Sequence, residues 1–103
     1  MYRNSESYLV VKEIPMKSIP HAEILKLREE DDTLIVVTLR LEIFFLNEVA
    51  KDFLLLCDGR RQLKEIIDEL GEIYDVEKNQ LTDDLMEIIR DFQYKRILRM
   101  EAA

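Results

Sequence analysis

The segment from residue 45 to residue 67 constrains the fold most, because its pattern indicates the end of a strand followed by two helices. Asn47 is a residue type that often accepts the free amide hydrogen bonds of a first helical turn, and apolar residues recur after it at helical spacing. Asp58 and Gly59 then predict the end of that helix, because glycine readily takes the left-handed conformation found after many helices. The same spacing resumes from Leu63, so a second helix is predicted beyond the turn.

The residues ahead of this helical pair predict three strands, at residues 22–28, 33–39 and 42–46. The second of these is rich in β-branched residues, which favour a pleated, half-buried surface. The charged residues 29–32 lack the glycine that tight hairpins prefer, so a looser connection is expected there. Three consecutive strands followed by helices predict an α+β domain with an antiparallel sheet.

A third helix is predicted at residues 77–94, with two unlike flanks beside its core seam. The seam expected to face the core consists of Leu81, Leu85, Ile88 and Phe92. One flank carries no charge and consists of Thr82, Met86, Ile89 and Gln93. The opposite flank is acidic and carries Asp84, Glu87 and Asp91. The uncharged flank has no evident use inside the domain, which makes it a candidate binding surface.

The first 21 residues form a separate region in our prediction, an N-terminal arm ahead of a domain at residues 22–103. An alternating pattern at residues 8–13 predicts one extra strand within the arm. Pro15 and Pro20 bracket a short segment in which no regular element is expected, because proline lacks the backbone donor that helices and ladders use.

The composition is that of a single globular domain, with 48% hydrophobic and 36% charged residues in a chain of 103. No apolar run approaches the roughly 20 residues that cross a membrane, and the first residues lack the basic and apolar regions of a secretion signal. A single cysteine excludes an internal disulfide and suits a reducing compartment. We therefore predict a cytoplasmic protein with no membrane partner.

The two helices joined by a glycine turn also suggest a winged-helix transcription regulator that binds DNA, with basic residues at Arg60, Arg61 and Lys64. The net charge of −7 opposes that alternative, because DNA binders concentrate positive charge on the docking face. Most of the acidic surplus lies in the helical half, which has 14 acidic and 9 basic residues after residue 46. No nucleic-acid partner is predicted.

Residues with catalytic or metal-binding chemistry are few. His21 is the only histidine and has no catalytic partner near it in the sequence, so a surface or strand-edge position is expected. Cys57 falls on the apolar stripe of the first helix and predicts a small buried hydrophobe. One cysteine and one histidine do not make a zinc set, and no phosphate loop, serine elbow or dinucleotide fingerprint occurs. We predict no catalytic residue, no metal and no cofactor, and hence no enzyme.

Several of these features occur together in a fixed order. They are Leu46-Asn47 after a short strand, the acidic-glycine turn at Asp58-Gly59, the Glu65-Ile66-Ile67 centre of the next helix, and Tyr74-Asp75 before the third helix. In this order they resemble the PqqD family, small proteins named for coenzyme PQQ synthesis protein D. The resemblance implies a winged-helix-like domain in which a three-stranded sheet precedes a three-helix bundle. It also implies a protein without catalysis that recognises the leader segment of a ribosomally made precursor peptide and presents it to a modifying enzyme, a radical SAM maturase.

The third predicted strand carries an aromatic pair, one member of which must face away from the core. From the residues alone, the arm or a second subunit could cover the outward aromatic, and a homodimer through the strand edge or the arm stays open. Alternatively, a peptide could pair with the strand as an added β-strand. The resemblance favours the peptide and places it between the third strand and the third helix. The peptide-binding residues expected on that basis are Glu42, Ile43, Phe44, Phe45, Thr82, Leu85, Met86, Ile89 and Gln93.

Overall fold

Five strands and three helices make up residues 14–102, the part of the chain that the structure, a computed structural model, describes. In chain order they are β1 (Ile19–Ala22), β2 (Ile24–Glu30), β3 (Thr33–Thr38), β4 (Ile43–Leu46), α1 (Glu48–Leu55), α2 (Leu63–Tyr74), α3 (Lys78–Tyr94) and β5 (Leu98–Glu101). The strand that we predicted at residues 8–13 lies outside the described residues.

The strands β2, β3 and β4 form the antiparallel meander expected from the sequence, and three helices follow it. The central strand β3 turns Leu34, Val36 and Thr38 into the core, where each is fully buried. Within the part of the chain that the structure describes, the edge strand β4 pairs with β3 alone. The α+β prediction, with a three-stranded sheet followed by three helices, is confirmed.

The turn between β2 and β3 is tighter than predicted. It consists of Asp31 and Asp32 alone, because β2 continues to Glu30 and β3 begins at Thr33. Asp31 has φ 56°, a left-handed conformation that aspartate tolerates better than most residues with a side chain. The expectation of a looser connection was wrong because aspartate takes the place of the missing glycine.

The first helix begins as predicted and ends earlier. The side-chain oxygen of Asn47 accepts a hydrogen bond from the amide of Ala50 at 3.0 Å, which confirms the predicted N-cap. The helix α1 ends at Leu55, so the prediction that it continues to Asp58 and Gly59 was wrong. Gly59 has a different role from ending the helix. A residue with a Cβ at this position would place that atom 2.8 Å from the His21 ring nitrogen Nδ1, so only glycine fits without a shift.

The segment after α1 leaves the helical path because it joins the edge of β1. The Cys57 carbonyl accepts from the Ala22 amide at 3.3 Å, and the Gly59 amide donates to the Pro20 carbonyl at 3.2 Å. The Cys57 thiol stays buried and donates to the Phe53 carbonyl. Burial raises the pKa of this thiol, so Cys57 is a protonated, unreactive core residue.

A second, two-stranded sheet joins the two ends of the described chain. The strands β1 and β5 pair antiparallel, with His21 opposite Arg99. We expected no regular element near Pro20, and this was wrong at its C-terminal end. The Pro20 carbonyl points to Gly59, away from β5, and its nitrogen lies on that same side. The missing N–H therefore costs no hydrogen bond between β1 and β5.

The N-terminus of α2 is closed by the chain that precedes β1. The amides of Leu63 and Lys64 donate to the carbonyls of Ser18 and Met16, at 2.8 and 2.9 Å. Glu65 accepts from the Gln62 amide at 2.8 Å, which is half of a capping box. Four amides of any helix start lack internal partners, and three backbone groups here are satisfied by these contacts.

The Tyr74-Asp75 pair ends α2 and ties it to α1. The Tyr74 hydroxyl donates to a carboxylate oxygen of Asp52 on α1. Burial, and then this acceptor, raise the pKa of Tyr74, so it remains a donor over the ordinary pH range. Asp75 takes the left-handed conformation at φ 53° and turns the chain toward α3.

The core lies between the sheet and the three helices. The rings of Phe53 and Phe92 meet with their centroids 6.1 Å apart, within the range of a favourable aromatic contact. Ile97 and Leu98 return to this core after α3, as the sequence predicted.

Candidate functional site: the groove between β4 and α3

Among residues 14–102, nothing pairs with the outer edge of β4, whose backbone groups are therefore candidates for binding. The Thr38 amide donates to the Glu42 carbonyl at 2.9 Å, which marks one hydrogen-bonded pair of the β3–β4 ladder. Such pairs alternate along an antiparallel ladder, so the backbone of Phe44 faces β3. The backbone groups of Ile43 and Phe45 therefore face the open edge. Two amides and two carbonyls are available there for one additional strand.

The flank of α3 beside this edge is the acidic one. The Lys95 ammonium lies 5.0 Å from the centre of the Phe44 ring, which places the Lys95 side of the helix over β4. A cleft runs between the start of α1 and this same side of α3. It is lined by Asn47, Val49, Asp84, Glu87, Ile88 and Asp91. Of the uncharged flank that we had placed beside β4, Thr82, Met86 and Ile89 do not line this cleft.

The two neighbouring isoleucines of α3 have exchanged the places that the sequence predicted. Ile89 is fully buried, as is Leu85, whereas Ile88 is half-buried at the groove. Viewed down the helix axis, Ile88 and Ile89 lie on opposite sides of the direction that Leu85 and Phe92 share. Helical periodicity alone therefore does not decide which of the two isoleucines is buried in the core. Ile89 is part of the core, and Ile88 supplies apolar surface to the cleft beside α1.

A second cleft, of about 800 Å³, lies at the opposite end of β4. The half-buried ring of Phe44 and the side chain of Gln93 contribute to its walls, together with residues of β5. Four of its lining side chains are basic, Arg40, Lys95, Arg96 and Arg99, and two are acidic, Glu23 and Glu42. The first cleft adjoins the residue that follows β4 and the second adjoins the start of β4, and both are lined by residues of α3. We call them together the β4–α3 groove.

Three of the nine predicted binding residues line this groove, and the others lie elsewhere. Glu42, Phe44 and Gln93 line the second cleft. Ile43 and Phe45 present their backbones to the open edge, while their side chains stand on the outer face of the sheet, 59% and 70% exposed. The remaining four are away from the cleft walls: Leu85 and Ile89 in the core, and Thr82 and Met86 half-buried on the other flank.

The sequence prediction omitted several residues that build the groove, among them Val49, Ile88 and Lys95. Val49 follows Asn47 by two residues, and both reach the groove because the N-cap fixes how α1 leaves β4. That consequence of a recognised cap was available from the sequence. The position of Lys95 was not, because it depends on how α3 crosses the sheet.

Other reactive groups do not gather at the groove. His21 is half-buried on β1, and its Nε2 atom pairs with the Glu101 carboxylate on β5, away from the edge of β4. Within residues 14–102, no group of three histidine, cysteine or acidic side chains is arranged to hold a metal ion. None of the three helices described is long and apolar enough to span a membrane.

Comparison with known proteins identifies the family. A solved structure described as TbiB1 in complex with the TbiA(beta) leader peptide aligns with a TM-score of 0.68 and 21% sequence identity. The alignment covers 79% of this chain and 99% of that one, so the two share a fold. A comparison with curated proteins found no match. The family model described as Coenzyme PQQ synthesis protein D (PqqD) matches residues 26–98, and the chain therefore belongs to the PqqD family.

Proposed function

We propose that this protein binds the leader segment of a ribosomally made precursor peptide as an additional strand on β4. It then presents the peptide to a modifying enzyme and performs no chemistry itself. The observation that carries the proposal is the backbone edge at Ile43 and Phe45, which no other described residue pairs with and whose neighbour Phe44 lines a cleft. Membership of the PqqD family and the likeness to TbiB1, solved with a leader peptide, support it.

The groove divides the work of recognition between backbone and side chains. Hydrogen bonds to the edge of β4 supply affinity that does not depend on sequence. Alternate side chains of an added strand point to one face, where Phe44 and Ile88 offer apolar contact. Leu85 and Ile89, which we expected to touch the peptide, are fully buried, and in this proposal they hold α3 against the core instead.

The DNA-binding alternative gains no support from the basic cluster after α1. Arg61 pairs with the Asp58 carboxylate at 3.3 Å and lies 3.6 Å from Glu69. A phosphate backbone would have to displace these acidic partners. Within the described residues, the cleft beside α1 has acidic side chains where a nucleic acid would need basic ones.

The partner enzyme and the cellular setting remain parts of this proposal. A radical SAM maturase is the enzyme type that the family resemblance implies. A reducing cytoplasm suits a chain whose single cysteine, Cys57, is a buried free thiol. A homodimer through the edge of β4 would compete with the peptide for the same backbone groups, so peptide binding and such a dimer exclude one another.

Proline substitution in β4 tests the added strand. Ile43→Pro removes an amide at the open edge, at the first position of the strand where proline is tolerated. We expect a protein that melts cooperatively but binds peptides encoded beside its gene at least tenfold more weakly, a loss of about 1.4 kcal/mol. Phe44→Pro removes an amide inside the ladder, so it should lower the free energy of unfolding by about 3 kcal/mol.

Alanine variants at the same two positions control for the lost side chains. Fluorescence anisotropy of labelled peptide gives the affinities, and thermal melts followed by circular dichroism give the stabilities. If Ile43→Pro binds as tightly as Ile43→Ala, the peptide does not pair with β4 and the proposal fails.

A further inference from the structure

We infer that the β4–α3 groove selects a leader strand whose charges are divided, with a basic side chain at the Asp84 end and an acidic side chain at the Arg40 end. This inference rests on the proposed function and names the class of peptide that the groove accepts. The charges of the groove differ at its two ends, acidic beside α1 and mainly basic beside β5.

The end of the groove beside α1 offers negative charge without a counter-ion. Asp84 and Glu87 are exposed and line the same cleft as Ile88, and neither forms an ion pair with another described residue. Asp91 is different, because it pairs with Lys95 at 2.9 Å. Among the residues that the structure describes, no basic side chain lines this cleft. A basic residue of the peptide would therefore meet two carboxylates that have no competing partner.

The opposite end offers positive charge. Arg99 is paired with Glu23 at 2.9 Å, so it is already neutralised. Arg40 and Arg96 are exposed and form no ion pair with another described residue. Glu42 is the acidic residue left on this side. The remaining balance favours an acidic side chain on the peptide.

The spacing of the two charges follows from the strand. Glu42 precedes β4 at the basic end, and Asn47 follows it at the acidic end. At about 3.3 Å per residue, these positions are about 17 Å apart in an extended chain. The two peptide charges should therefore be about five residues apart. Each exposed charge pair should change affinity by about two- to fivefold, and the effect should weaken in high salt.

Selection from displayed random peptides tests this inference without knowledge of the natural leader. The purified protein would be immobilised and offered peptides of about twelve residues, enough to span the groove at about 3.3 Å per residue. We expect enriched peptides to carry a basic residue and an acidic residue about five positions apart, in one consistent order, around an alternating apolar segment. The double variant Asp84→Lys, Glu87→Lys should remove the basic preference and leave the acidic preference at the other end.

Binding to Ile43→Pro separates the possible results. Peptides that are enriched on the protein, lost with Ile43→Pro and without charge bias would overturn the charge inference and leave the added-strand function intact. Peptides that bind Ile43→Pro equally well would contradict the added-strand function itself. A dimer in analytical ultracentrifugation that Ile43→Pro converts to a monomer would identify a second copy as the occupant of the edge, and would contradict both.

Discussion

Asp58 organises the connection between α1 and α2 through its own side chain. One carboxylate oxygen accepts from the amides of Arg60 and Arg61, at 2.9 and 3.1 Å. These backbone hydrogen bonds are the main reason that the pKa of Asp58 lies below its ordinary value of 3.8, and the Arg61 guanidinium adds to the effect. Asp58 thus acts as a clamp on this turn, since its charged carboxylate binds the two following amides more strongly than the protonated form would.

The charge of Asp58 should make the stability of this turn depend on pH. Because its pKa is lowered by folding, the native protein holds fewer protons than the unfolded chain between the two pKa values. The stabilisation is therefore complete above about pH 4, near the unfolded value, and is lost as the pH falls through the folded value. We expect Asp58→Ala to be less stable than the natural protein at pH 7, with a difference that shrinks in acid.

Urea unfolding at a series of pH values measures this difference. Asp58→Asn is the matched control, since its amide oxygen still accepts both hydrogen bonds while its charge is absent. A gap between the natural protein and Asp58→Ala that stays constant from pH 7 to below pH 3 would contradict the clamp.

At the scale of elements, α3 serves the core with one side and the groove with the other. The adjacent residues Ile88 and Ile89 carry the same side chain but lie on different sides of the helix, so the same substitution at each compares the two sides. Ile89→Asn places an unpartnered amide in the core and should reduce the free energy of unfolding by about 3–5 kcal/mol. Ile88→Asn changes a half-buried position and should cost only about 1 kcal/mol.

The same pair distinguishes stability from binding. Ile88→Asn should reduce the affinity for a peptide selected on the natural protein about tenfold, because apolar contact in the groove is lost. Chemical unfolding and peptide anisotropy on the two variants provide both measurements. Equal destabilisation by the two substitutions would show that Ile88 also belongs to the core.

Features fixed by neighbouring residues were predictable, and those fixed by distant ones were not. The Asn47 cap, the start of α2 and the limits of α3 follow from local hydrogen bonding and apolar spacing, and all three agree with the structure. Which of Ile88 and Ile89 is buried depends on how α3 crosses the sheet, and the sequence of α3 does not determine that angle. The early end of α1 depends on β1, which lies far away in the chain.

At the scale of the whole molecule, β1 and β5 close the domain across most of its length. His21 and Glu101 are 80 residues apart in sequence and joined by their side chains. Leu98 of β5 is buried in the core, so the strand contributes both a ladder and apolar packing. The sheet of β1 and β5 therefore connects the core to Met16 and Ser18, whose carbonyls accept from the first amides of α2.

Removal of β5 should weaken the whole domain. A chain that ends at Ile97 loses the burial of Leu98, worth about 1.5–3 kcal/mol, and the ladder to β1. We expect the melting temperature to fall by roughly 10–20 °C in scanning calorimetry, given about 4–8 °C per kcal/mol for a domain of this size. A chain that lacks only residues 102 and 103 is the control and should melt as the natural protein does. An unchanged melting temperature without β5 would show that the second sheet is only an attachment to the surface.

The pairing of β1 with β5 also sets an order of events during protein synthesis. The β1 segment leaves the ribosome before every other element described, and its partner leaves last. Until β5 pairs with β1, no sheet holds the carbonyls of Met16 and Ser18 in place beside the start of α2. A nascent chain whose last residues are still inside the ribosome would thus expose its first strand unpaired, a state open to strand exchange with a neighbouring copy on the same message.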